Sequence, residues 1–158
     1  MARLVQSFMI IMTVFVLSGC ELAGITVLNN TEQTVLTAEN NKLYVMGLLN
    51  SKSLGQIQDA VNANPGVDTL VFTAMPGSID AEVTSETGRW LRSRNMNTHL
   101  TARSVIASGA VDLFLSGKVR TMEDGAQVGV HSWSDGDKEA AEYPRDSEEH
   151  ALNRDYIV

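Results

Sequence analysis

Hydrophobic and polar positions fall in short blocks along this chain. Residues 4–17 are almost wholly apolar, broken only by Gln6, Ser7 and Thr13. That run is shorter than the roughly 20 residues a membrane-spanning helix needs. Residues 21–41 are small and polar with two apolar patches, at 25–28 and 35–36, and predict a tether leading into a hairpin or edge strand. Residues 42–49 (KLYVMGLL) suit a buried strand. Ser53 with Gln56 spells a capping box, and Leu54, Ile57 and Val61 then follow at helical spacing. Asn64-Pro65-Gly66 stops that helix, because proline cannot continue it. Residues 69–74 (TLVFTA) predict a second strand, and Met75-Pro76-Gly77-Ser78 a tight turn. The next helix carries Ile79, Val83, Trp90 and Leu91 on one side. Residues 97–101 are a third strand, 110–115 a helix ending before Gly117, and 126–130 (AQVGV) a strand ending at His131. The last twelve residues read as a helix.

Strand and helix therefore alternate, the pattern of an α/β fold with a mostly parallel sheet, covered on both faces by crossover helices. Ligands of such sheets gather beyond the carboxyl ends of the strands. Met75–Ser78, Ser108 and His131 each fall immediately after a predicted strand, so they are grouped as one site.

Composition adds little: 44% apolar and 20% charged residues are ordinary for a globular chain. Charge adds more. The chain carries −7 overall, and residues 135–158 hold eight acids against three bases. Such a tail reads as a solvated face. An acidic chain excludes nucleic acid as a partner, since phosphate binding needs clustered Lys and Arg. His99 and His150 lack metal-ligand spacing, and no metal or cofactor is implied.

The N-terminus supplies an address. Arg3, the apolar run and Leu17-Ser18-Gly19-Cys20 form a secretory signal. The segment resembles the lipobox of bacterial lipoproteins, and Cys20 is the single cysteine. The resemblance implies cleavage before Cys20, its lipidation, and a domain held on the membrane at the bacterial cell envelope, facing the periplasm. Glu21 favours the outer over the inner membrane. The alternatives are a plain secretory signal and a single membrane helix with a chance cysteine. The expected organisation is 1–19 signal peptide, 20–41 lipidated cysteine and tether, and 42–158 the folded domain.

Acyl-transfer hydrolysis needs a hydroxyl beside a base, N–H groups aimed at a developing oxyanion, and a stiff frame. Ser108 stands at a predicted helix start, where unpaired N–H groups favour negative charge. The run VIASGAVDLFLSG, the later GVHSW and the earlier MPGS resemble the proteolytic subunit of the Clp protease and, more broadly, the superfamily it shares with crotonase. The likeness covers residues 42–133. Gly117 follows Ser108 by nine positions, as in that family. The resemblance implies a Clp/crotonase-like fold (a ββα superhelix) and a peptidase-like serine hydrolase acting on a peptide or acyl substrate. Ser108 would be the nucleophile and His131 the base. The N–H groups of Ser78 and Gly109 would form the oxyanion hole, with Pro76 and Gly77 supporting its turn. It also implies a possible homo-oligomer. Ser78 stands where the family has a second glycine, and is itself a plausible helix cap. The family's third, acidic member has no assigned counterpart: Asp135, Asp137 and Asp146 are near only in sequence. These departures keep open a non-catalytic lipoprotein that retains the fold and binds a protein or peptide. Asp112, one turn beyond Ser108 in an apolar helix, needs either a structural partner or a role in the site.

Overall fold

The computed structural model describes residues 33–135 and 137–157. The apolar N-terminal run, Cys20 and most of the tether lie outside the described residues. Among the described residues, no helix is long and apolar enough to cross a membrane.

Strands β1 (Thr34–Glu39) and β2 (Lys42–Gly47) form an antiparallel hairpin. Its two-residue turn is Asn40-Asn41, both at left-handed φ (47° and 63°). Asparagine tolerates that region, and such turns match the twist of the flanking strands. From β2 onward the pairing is parallel, through β3 (Thr69–Met75) and β4 (Asn97–Ala107). Two short strands then share β4. β5 (Arg120–Met122) pairs with its first half, and β6 (Gln127–Gly129) with its last three residues. The crossovers are α1 (Ser53–Ala63), α2 (Ala81–Ser93) and α3 (Gly109–Leu115). A terminal helix, α4 (Ala151–Ile157), follows two single 3₁₀ turns. The fold is α/β, with a mostly parallel sheet and crossover helices.

One apolar core lies between the sheet and its helices. Leu43, Val45, Leu70, Phe72, Leu100 and Ile106 from the strands pack with Ile57, Leu91 and Leu113 from the helices, each essentially without exposure. Among the described residues, the expected cover on both faces is absent: alternate strand positions Val35, Met46 and Val105 are about half exposed. The pattern of alternate burial is that of a sheet with one wet face.

β4 carries the irregularity that shapes the molecule. Phe72 pairs with Leu100, yet Ala74 pairs with Val105, so β4 bulges between them. Buried Ser104 closes the bulge: its Oγ donates to the Phe72 carbonyl at 2.6 Å and accepts the Thr101 N–H at 2.9 Å. Bulges bend strands, and here the two halves of β4 meet different neighbours. The short third strand expected at 97–101 is therefore half of a longer one, and β5 had no apolar run to announce it.

Three local expectations are corrected. Ser53 is not a cap; it is the first residue of α1, buried, with its Oγ accepting from the Asn50 N–H and sharing a hydrogen bond with the Thr34 hydroxyl. Gln56 instead reaches the Thr34 carbonyl, so the capping box is absent because a tertiary contact to β1 claims both side chains. Met75–Ser78 is not a tight turn. It runs on beside Leu49, with Leu49 N–H to Gly77 O and Ile79 N–H to Leu49 O, both 3.0 Å. Finally, α2 buries Thr84, Ser85, Thr87 and Gly88 beside Leu91, while Val83 and Trp90 are half-buried and Ile79, ahead of the helix, is exposed. Ser85 and Thr87 donate to carbonyls one turn back, so small polar residues enter the packing without orphaned hydroxyls.

Candidate functional site

Parallel pairing of β4 with β6 puts Ala107 opposite Gly129 at the carboxyl end of both strands. The Ser108 N–H continues the ladder to the Gly129 carbonyl at 3.1 Å. Just beyond the two strand ends, Ser108 and His131 meet: Oγ to Nε2 is 2.8 Å. Residues 23 apart in sequence are neighbours because two strands end together. The other imidazole nitrogen, Nδ1, lies 2.6 Å from the Ser132 carbonyl. A carbonyl only accepts, so Nδ1 carries the proton and Nε2 of the neutral ring accepts from the Ser108 hydroxyl.

No carboxylate among the described residues takes part. Asp135, the acid nearest His131 in sequence, instead accepts from the Tyr143 hydroxyl and from the N–H groups of Asp137 and Lys138. The Tyr143 hydroxyl foremost, then those two N–H groups, hold its carboxyl down at about 2. Asp137 and Asp146 are exposed and make no side-chain contact to the imidazole. A backbone carbonyl thus occupies the orienting position, which residue types alone do not disclose.

Ser108 is the one described non-glycine residue outside asparagine with a left-handed φ, 52°. Such a conformation costs of order 1–3 kcal/mol and clusters at functional positions. The turn opposite accommodates it. Gly77 has φ +136°, and a Cβ there would stand 3.0 Å from Ser108 Cβ and 3.5 Å from its Oγ. Pro76 precedes it and brings the chain across.

The two proposed donors lie side by side. A Cβ on Gly109 would come within 2.8 Å of Ser78 Cβ. Gly109 opens α3, so its N–H has no partner within the helix. Ser78 pairs with Leu49 through the groups on either side of it, so its own N–H points away from Leu49, to the side where β4 lies. Neither N–H is taken up by another described residue. Ser78 also has an ordinary negative φ, which serine adopts as readily as glycine. It is not the cap of α2. Asp80 is, accepting the Val83 N–H at 3.0 Å. The Ser78 hydroxyl is turned away, bonded to Asp80 and Thr84.

These groups border a cavity of about 280 Å³ whose far walls come from Val111, Leu115, Val130, Trp133, Leu152 and Tyr156. Of these six, the sequence offered only Trp133, two residues past His131, as a groove residue; Leu152 and Tyr156 come from the acidic tail. The terminal acidic segment does more than face solvent: its helix leans on α2, with Tyr156 over Gly88 and the Tyr156 hydroxyl donating to the Asp112 carbonyl at 2.7 Å. Burial pushes the Tyr156 phenol up to about 12. Trp133, Tyr143 and His150 form a ring cluster, with centroids 5.1–6.5 Å apart. His99 is elsewhere, bonded to Thr121 and Glu123. Among the described residues, no group of three His, Cys, Asp or Glu side chains is placed to hold a metal ion.

No family model matches the chain, and no curated protein does. Solved structures do resemble it. DspI of Pseudomonas aeruginosa is 15% identical over 65% of this chain and 54% of its own, with a TM-score of 0.47. An enoyl-CoA hydratase from Bacillus anthracis is 10% identical over 63% and 50%, with a TM-score of 0.47. Another from Shewanella pealeana is 10% identical over 66% and 52%, with a TM-score of 0.45. The chain spans about half the length of each. At this similarity, nothing of what those proteins do is carried over to this chain.

Proposed function

We propose that the domain is a serine hydrolase of the peptidase-like kind, carried at the bacterial cell envelope on a lipidated Cys20. The envelope address rests on residues 1–20 alone. The hydrolase reading is carried by one observation: the 2.8 Å contact between Ser108 Oγ and His131 Nε2, with the ring's other nitrogen tied to a carbonyl.

In this reading His131 Nε2 takes the hydroxyl proton as Ser108 Oγ bonds to the substrate's carbonyl carbon. The carbonyl oxygen becomes negative and accepts from the N–H groups of Ser78 and Gly109, a donor pair worth about 3–4 kcal/mol per member in the transition state. The bond to the leaving group then breaks, and the imidazolium returns the proton to that group. Water repeats the sequence and frees the acid. The Ser132 carbonyl holds the ring's orientation but, lacking a full charge, stabilises the imidazolium less than a carboxylate does.

Labelling of the intact chain with a fluorophosphonate, read by mass, tests the proposal. One adduct is expected on Ser108, none in Ser108→Ala, and labelling slower by on the order of a thousandfold in His131→Ala. An unreactive wild-type protein sinks the proposal and leaves the non-catalytic binding module as the better reading.

A further inference from the structure

Asp112 is the one carboxylate in the wall of the Ser108 cavity, and the chemistry above gives it no task. It stands in the first turn of α3, four residues beyond Ser108, and lines the same cavity. Side chains on a helix lean toward its N-terminus, which carries this carboxylate toward the Ser78–Gly109 donors. The group is half-buried, yet its oxygens make no hydrogen bond among the described residues. The Tyr156 hydroxyl is spent on the Asp112 backbone carbonyl. A larger adjoining cavity shares Asp112 and brings in Arg89 and Arg92, but Arg92 is bonded to the Gly117 carbonyl at 2.8 Å. The ion pairs formed among the described residues, His99–Glu123 and Arg154–Asp155, do not include Asp112. Burial alone drives its carboxyl above the usual range, with no cation pulling it back.

A carboxylate drawn partly out of water without donors is unfavourable. This one also faces a place where a substrate oxygen turns negative, and like charges in a partly dry cleft repel. A cation on the substrate relieves both. We infer that Asp112 selects substrates whose acyl residue carries a cationic side chain, of the lysine or arginine type. The apolar wall of Val111, Leu115 and Val130 receives the methylene stem, and the carboxylate receives the charged end. Because the pair forms beside the oxyanion, the selection acts on rate as well as on binding.

This inference rests on the hydrolase reading, and the experiment separates the two. Two diphenyl phosphonates of equal length are compared on the full chain, one with an aminobutyl and one with a pentyl side chain. In each reaction Ser108 Oγ bonds to phosphorus and phenol leaves with the hydroxyl proton. The aminobutyl compound should label at least about tenfold faster. Asp112→Asn should bring the ratio near one, by slowing the cationic probe and speeding the neutral one, and Asp112→Glu should retain the preference. Equal rates in the wild type, or an unchanged preference in Asp112→Asn, overturn the inference. If a plain fluorophosphonate labels Ser108 while the two phosphonates react alike, the inference alone fails. If nothing labels, both fail together.

Discussion

The two halves of the candidate site are held by different physics. Ser108, Gly109 and Ser78 leave the ends of β4 and β3, strands whose inward residues are buried and packed against α1 to α3. His131 leaves β6, whose three residues are all exposed, and sits on a loop fastened by hydrogen bonds and a ring cluster. The proposed nucleophile and N–H donors thus inherit the stiffness of a core. The imidazole depends on the three-residue β4–β6 ladder and its last bond at Ser108, on the Ser132 carbonyl, and on the segment beyond it. Stability and the alignment of the proposed site are therefore separable here: injury to the core should unfold the chain, whereas injury to the loop should displace His131 in a folded one.

The sharpest way to break this contrast is a pair of truncations. Leu113→Ala removes a wholly buried side chain and should cost about 3 kcal/mol in chemical denaturation. Trp133→Ala removes a half-buried ring on the loop and should cost only about 1 kcal/mol. Labelling of Ser108 should nevertheless fall by on the order of a hundredfold in Trp133→Ala, because misplacing a reacting group by about 1 Å costs that much. Equal losses of stability would erase the distinction.

Gly109→Ala tests the rigid half. Its methyl would press within 2.8 Å of Ser78 Cβ and 3.3 Å of Thr84 Cγ2. Separating the two donors should slow labelling by about a hundredfold while the protein stays folded at room temperature. A Gly109→Ala variant that labels at the wild-type rate would remove these N–H groups from the proposal.

The smallest effects concern pH, and the two halves should respond with opposite sign. In the loop, Asp135 has its carboxyl depressed to about 2 by Tyr143 and backbone N–H groups. Its contribution is present above the unfolded value near 4 and is lost as pH falls through about 2. Trp133 fluorescence should change across that window, and Asp135→Asn should abolish the change. In the rigid half, Asp112 has its carboxyl raised by burial. Its contribution is complete below the unfolded value and is lost as pH rises through the raised one. Asp112→Asn should therefore raise Tm at about pH 7 more than at about pH 3. The reverse order would mean that the carboxylate has a stabilising partner.

Much of the fold was legible because the apolar runs at 42–49, 69–74 and 110–115 fall within two residues of the observed strands and helix. The misreadings share a cause. Ser53, Ser78 and the buried Thr and Ser of α2 are small polar residues, and their fate depends on which distant group takes the hydroxyl. The capping box failed because Thr34 lies against α1, and Ser78 yielded the cap to Asp80 because its own hydroxyl was already bonded. Tyr156 as a wall of the site carried no signal beyond an amphipathic end.

Local pattern alone determined the α/β class, the order of the elements other than β5, and the placement of Met75–Ser78, Ser108 and His131 after strands, because burial imposes periodicities that neighbouring residues reveal. It also nominated Ser108 and His131 for one site. Only the tertiary structure decided that β6 pairs with the far half of a bulged β4, bringing alcohol and imidazole to 2.8 Å. Only it assigned the ring's second hydrogen bond to a carbonyl rather than an acid. Strand register and backbone direction are set by packing between segments far apart in the chain, and no residue type encodes them by itself.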